Sequence, residues 1–184
     1  MRLPIAVMGI CYRRKGDGIQ YLLILRAPHD GGFWQPVTGG LEEGETRTDG
    51  VRREIAEETG LTPTSVTPLL EMRQFFHRYR SESTEVWLTE FVYGAEVPDG
   101  DVTLSPDHTD HKWCTLDEAL TLLKYDGNKD ALKLLDGALR SGKMPEQPCS
   151  SWKRSSSNDP VDIIASRVAV LLASCCSPVG AASP

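Results

Sequence analysis

Residues 39–61, GGLEEGETRTDGVRREIAEETGL, constrain this chain more than any other stretch, because they demand a helix with like charges crowded on one face. Thr46 is a candidate N-cap with Asp49 three residues on as its capping-box partner, and Gly60 is placed to stop the helix as its C′ residue. Val51, Ile55 and Leu61 supply the apolar stripe that docks it. Glu54, Glu57 and Glu58, at i, i+3 and i+4, share another face, where their carboxylates repel one another. Gly50 costs the helix interior about 1 kcal/mol relative to Ala, and close packing against a neighbouring backbone is the reason expected for it.

An E-x-x-E-E cluster is usually no more than a solvated helix face, so the wider spacing has to decide. Oxygen-only donors with no Cys or His beside them suit a hard cation, Mg²⁺ above all, and such ions bridge proteins to substrate phosphates. The full pattern runs Gly39, five residues, Glu45, seven residues, then Arg53-Glu54-Ile55-Ala56-Glu57-Glu58-Thr59-Gly60-Leu61. It resembles the signature of the Nudix hydrolase family and meets every fixed position of it.

That resemblance implies an α/β fold, a Nudix-type α/β/α sandwich with a mixed β-sheet, that binds Mg²⁺ or Mn²⁺ and hydrolyses a nucleoside diphosphate linked to another group. It implies Glu54, Glu57 and Glu58 as metal ligands beside the Gly39 and Gly40 carbonyls, with Arg53 and Glu45 bracing the loop against the helix. Clustered metal ions would neutralise phosphate oxygens and acidify the attacking water. One glutamate would serve as general base, and the sequence leaves open which.

Upstream, F-W-Q-P-V-T-G-G-L-E-E-G-E-T, with His77-Arg78-Tyr79 and Thr109-Asp110-His111-Lys112-Trp113, is similar to the bacterial dihydroneopterin triphosphate pyrophosphohydrolases. This likeness implies a further metal ligand at Asp110, where that group carries Glu, and phosphate contacts from Arg26 and Arg2. Trp34 is expected to stack on a flat heterocycle, and Gln35 and Thr38 to bond a base or ribose, with turn chemistry as the plainer alternative. Phe33, Phe75, Phe76 and Trp87 suit core packing at least as well as stacking. His77 and His111 read as surface or supporting residues. Three functions follow: a pyrophosphohydrolase of dihydroneopterin triphosphate or a nucleoside triphosphate, a dinucleoside polyphosphate hydrolase, or a non-catalytic nucleotide-sensing module, which the intact glutamates argue against.

With 184 residues, 40% hydrophobic, the chain suits one full domain, expected over residues 1–140. The expected partner is a small phosphate-bearing substrate. A net charge of −6, with seven acids against three arginines in residues 39–61, speaks against nucleic acid. Residues 141–184 read as a Ser/Pro-rich linker and tail holding one short helical stretch, 161–176, which Asp162 and Arg167 make too short and polar for a membrane span. Cysteines 11, 114, 149, 175 and 176 show no C-x-x-C spacing, and the N-terminus lacks a cleavage-site pattern; a cytoplasmic protein is expected. Residues 4–12 and 19–25 read as a hairpin about Gly16, 66–76 and 84–92 as strands, and 116–124 and 129–140 as helices.

Overall fold

The computed structural model describes residues 2–78 and 85–143, and side chains over 4–69 and 87–143. Of two compact units, Met1–Pro148 and Cys149–Pro184, the second lies outside the described residues, as do the 161–176 segment and the side chains of Arg2, Phe75, Phe76 and His77. Strand β1 (Arg2–Lys15) turns through Gly16, at φ 58°, into antiparallel β2 (Gly18–Arg26). Then come β3 (Trp34–Gln35), β4 (Val37–Glu42), α1 (Arg47–Thr59), β5 (Ser65–Arg78), β6 (Glu85–Glu96), β7 (His108–Cys114), α2 (Leu116–Leu122) and α3 (Asp126–Ser141).

The sheet is mixed, ordered β3-β2-β1-β6-β5, with β4 added on β1 and β7 on β2. Among the described strands, β1 and β6 pair in parallel, from Ile5↔Thr89 to Tyr12↔Glu96, and the other strand pairs are antiparallel. β1 is buried on both faces and reads as a near-continuous apolar run, as a covered strand must. Its side chains alternate: Ile5, Val7 and Cys11 join Val51 and Ile55 of α1, while Met8, Ile10 and Tyr12 join Ala131, Leu132 and Leu135 of α3. Two glycines let the helices approach. A Cβ on Gly9 would fall 2.9 Å from Ile55 Cδ1, and one on Gly94 of β6 would fall 2.6 Å from Leu135 Cδ1. The result is the expected α/β/α sandwich.

β3, β4 and β7 are absent from the sequence reading. Among aromatic residues, Trp87 departs from the expected core packing: it stands 56% exposed. Thr115 starts α2 through a complete capping box, its backbone N–H donating to Glu118 at 2.9 Å. Among the described residues, no helix is long and apolar enough to cross a membrane. Cys11 and Cys114 are buried free thiols, the first pushed by burial up to about 12.

Under α3, Tyr21 is fully buried and its hydroxyl donates to Asp136 Oδ1 at 2.7 Å, while Arg140 Nε donates to Asp136 Oδ2 at 2.7 Å. Burial pushes the Asp136 carboxyl up, but the hydrogen bonds from Arg140 and Tyr21 outweigh it and hold the group below its ordinary range. A depressed carboxyl contributes stability that is full above about pH 4 and is lost as pH falls through the lower folded value. Asp136→Ala should cost about 1–3 kcal/mol at pH 7, because Tyr21 keeps a buried hydroxyl without its acceptor. Urea midpoints should show that the penalty shrinks as pH drops below about 4.

Candidate active site

Helix α1 begins and ends where its caps place it. Thr46 Oγ1 accepts from Asp49 N–H at 3.2 Å, and Gly60 at φ 69° returns its N–H to Ala56. Asp49 does not close a capping box. Its carboxylate instead accepts from the Thr46 hydroxyl at 2.6 Å, since Asp is one methylene shorter than the Glu that reaches the cap N–H at Thr115. Gly50 is explained by side chains rather than backbone: a Cβ there would lie 2.8 Å from Leu41 Cδ1 and 3.1 Å from Glu45 Oε2.

The loop from β4 is tied to α1 by one guanidinium. Arg53 donates from Nε to Glu45 Oε1 at 2.9 Å and from Nη2 to Glu45 Oε2 at 3.0 Å and to the Gly40 carbonyl at 2.8 Å. Its Nη1 serves Glu54 at 2.8 Å and Glu57 at 3.0 Å. A planar fork is what such a bidentate clamp requires, and a lysine could not reproduce it. The Arg53 bonds hold the Glu45 carboxyl below the ordinary range, and Glu45 Oε2 also accepts from Glu42 N–H.

The three signature glutamates have different surroundings. Glu54 is buried, 5% exposed, and packs so closely on the Gly39 backbone that a Cβ at residue 39 would fall within its carboxylate. Burial first, then repulsion from Glu57 and Glu58, raise its affinity for a proton against the pull of Arg53. Glu57 is the open one, with a side chain 58% exposed. Glu58 is held from across the fold: its Oε2 lies 2.7 Å from His108 Nδ1 and also accepts from Ser105 Oγ. Burial pushes Glu58 up, yet the hydrogen bonds of His108 and Ser105 and the charges of His108 and Arg26 hold it below the ordinary carboxylate range.

The residues outside α1 are spread along the sheet. Arg26 ends β2; its Nη2 reaches Asp30 at 3.4 Å and its Nε is buried without a partner. Gln35, buried, donates to Thr38 Oγ1 at 3.3 Å, so these two bond each other. Trp34 is half-buried against the apolar cluster on the α2 and α3 side and bridges to Leu123. Asp110 lies exposed on β7, opposite Leu25, and accepts from His111 N–H at 2.7 Å. Sequence reasoning missed Ser105 and His108, which stand 47 and 50 positions from Glu58 with no local pattern joining them.

Among the described residues, no three His, Cys, Asp or Glu side chains converge as a finished cation cage. The donor set nonetheless fits a divalent ion. All its donors are oxygens, and the close approach of Glu54 to Gly39 sets a buried carboxylate against the loop backbone where any larger residue would displace it.

The NUDIX domain family profile matches residues 2–136. The chain belongs to the Nudix family and is a Nudix hydrolase, an enzyme acting on phosphoric anhydride bonds. Members of this family generally use divalent metals. Among its relatives, the dihydroneopterin triphosphate diphosphatase of Escherichia coli K12 is 28% identical over 138 residues, covering 71% of this chain and 90% of that one. The Myxococcus xanthus octanoyltransferase is 34% identical over 122 residues, which cover 65% of this chain and only 33% of that protein. Among solved structures, the Caenorhabditis elegans Ap4A hydrolase binary complex is 26% identical, with a TM-score of 0.57 over 74% of this chain and 98% of that one.

Proposed function

We propose that this Nudix hydrolase is Mg²⁺-dependent, with Mn²⁺ as a substitute, and releases pyrophosphate from dihydroneopterin triphosphate or a nucleoside triphosphate. The observation that carries this reading is the α1 face itself: three carboxylates, one buried on Gly39, one open and one held by His108, above a loop locked by Arg53. Glu54, Glu57, Glu58 and the Gly39 carbonyl would hold the cation, with Asp110 approaching from β7. The bound ion supplies charge neutralisation on the phosphate oxygens and acidifies the attacking water. Arg53 and Glu45 keep the loop in place while one carboxylate takes the proton, and the guanidinium of Arg26, whose Nη2 reaches Asp30, would contact a phosphate oxygen. Residues 1–140 would carry all of this chemistry, with the last turn of α3 closed by Gly142 at φ 67°. Buried free thiols and the small phosphate substrate suit a cytoplasmic enzyme.

A second reading, hydrolysis of a dinucleoside polyphosphate, draws on a separate feature. Tyr125, 48% exposed, meets Phe33 edge-on at 5.2 Å, and Lys124 Nζ stands 5.2 Å over the Phe33 ring. Phe33 in turn accepts from Arg26 N–H through its carbonyl at 3.1 Å, which sets an aromatic, cationic surface next to the proposed phosphate contact. A second base could stack there. The test is kcat/KM across pterin, nucleoside and dinucleoside polyphosphates. Dihydroneopterin triphosphate is expected first; a tenfold preference for a dinucleoside tetraphosphate, about 1.4 kcal/mol, would promote the second reading. Tyr125→Ala separates the two more cleanly than Trp34→Ala, because Trp34 also packs on the core. It should weaken only substrates that carry a second base.

A further inference from the structure

We propose that His108 and Ser105 are positioning residues that hold Glu58 in one rotamer, with Oε2 anchored and Oε1 presented to a divalent cation. The inference rests on Glu58 being a cation ligand, as the proposed function has it. Both anchors converge on the same oxygen: His108 Nδ1 at 2.7 Å and the Ser105 hydroxyl. Oε1 accepts no hydrogen bond among the described residues. One oxygen of a flexible side chain is thereby fixed and the other left for a ligand.

The anchors are themselves rigid. The strand-preceding loop straps the end of α1, with Thr103 N–H donating to the Thr59 carbonyl at 2.9 Å and Ser105 N–H to the Glu58 carbonyl at 3.3 Å. Those carbonyls belong to the last turn, where no intrahelical donor remains. His108 N–H then closes a turn on the Ser105 carbonyl at 3.2 Å, and the His108 side chain is only 3% exposed. Its Nε2 is buried with no partner. An N–H at Nε2 would be a buried donor without an acceptor, so the ring proton belongs on Nδ1, where it faces Glu58. A carboxylate oriented by a buried imidazole is the arrangement by which supporting residues tune a metal ligand.

The test is Mn²⁺ binding to the metal-free full chain, followed by the electron paramagnetic resonance of free Mn²⁺, beside the Mg²⁺ activation constant. His108→Ala should weaken Mn²⁺ about tenfold and raise the activation constant alike, while kcat at saturating Mg²⁺ stays within about threefold. His108→Asn, whose amide can place an N–H near the site of Nδ1, should recover most of the affinity. A purely structural role would lower the melting temperature and leave Mn²⁺ affinity unmoved, and affinity within about twofold of wild type in folded His108→Ala overturns the proposal. Should that variant not fold, Ser105→Ala decides, since it removes the other bond to the same oxygen; unchanged Mn²⁺ affinity there also overturns it. Glu58→Gln in the same titration separates the two layers. Unweakened binding by Glu58→Gln refutes the ligand role itself, whereas weakening there but not in His108→Ala refutes only the positioning.

Discussion

Glu58→Gln should lower kcat by about three orders of magnitude, roughly 4 kcal/mol in the barrier, at saturating metal and with the fold intact. The amide keeps an oxygen that can accept from His108 or Ser105, so the unfolding free energy should fall by only about 1 kcal/mol. Glu57→Gln makes the comparison sharper. Its side chain is open and, among the described residues, bonds Arg53 alone, so a comparable rate loss there would have little structural component. Removing one of three repelling carboxylates also relieves the metal-free protein. Steady-state rates over a Mg²⁺ series, paired with urea unfolding, give both numbers. A near wild-type rate in either variant would remove that residue from the cation site.

Gly39→Ala is expected to damage both fold and rate, by about 2–4 kcal/mol in stability and at least about a hundredfold in kcat. The new methyl would occupy the space of the Glu54 carboxylate. Neither neighbour can yield easily. Gly39 is held in register opposite Val7 of β1, and Glu54 is fixed by Arg53 at 2.8 Å inside a buried site. Pushing the carboxylate out would break that ion pair and move it off the loop backbone. The enlarging substitution at Gly44, which has open space around it, serves as the control for loop chemistry, though its φ of 82° makes any side chain there strained. Wild-type stability and rate in Gly39→Ala would show that Glu54 does not need this approach.

The signature helix was legible because its caps, apolar stripe and charges are all local. Thr46, Gly60, Val51 and Ile55 do in the structure what their spacing requires. The bracing of Arg53 by Glu45, expected from family likeness, is present as a two-pronged bond. Less local features escaped. For Gln35 and Thr38 turn chemistry is the plainer alternative, yet β1 pairs with this run from Gly9↔Val37 to Ala6↔Gly40 and makes it a strand. Ser105 and His108 could not be found because the contact that gives them meaning is made across the fold. Likeness and place along the chain single out Trp34 and Asp110, and the structure sets Trp34 half-buried on the α2 and α3 side and Asp110 exposed on β7.

The parallel pairing of β1 with β6 has a consequence for how the chain is made. β1 leaves the ribosome well before β6, and its hairpin with β2 covers only Tyr12 to Lys15. The edge that β6 will occupy, from Ile5 to Tyr12, waits until Glu96 has been synthesised. At ~5–20 residues per second, that interval is roughly four to seventeen seconds, during which the apolar run from Ile5 to Tyr12 has no partner along one side. Closing so long a loop is slow compared with forming helices or hairpins. That edge is therefore open during translation, and a chaperone that binds extended apolar segments would find a target in β1.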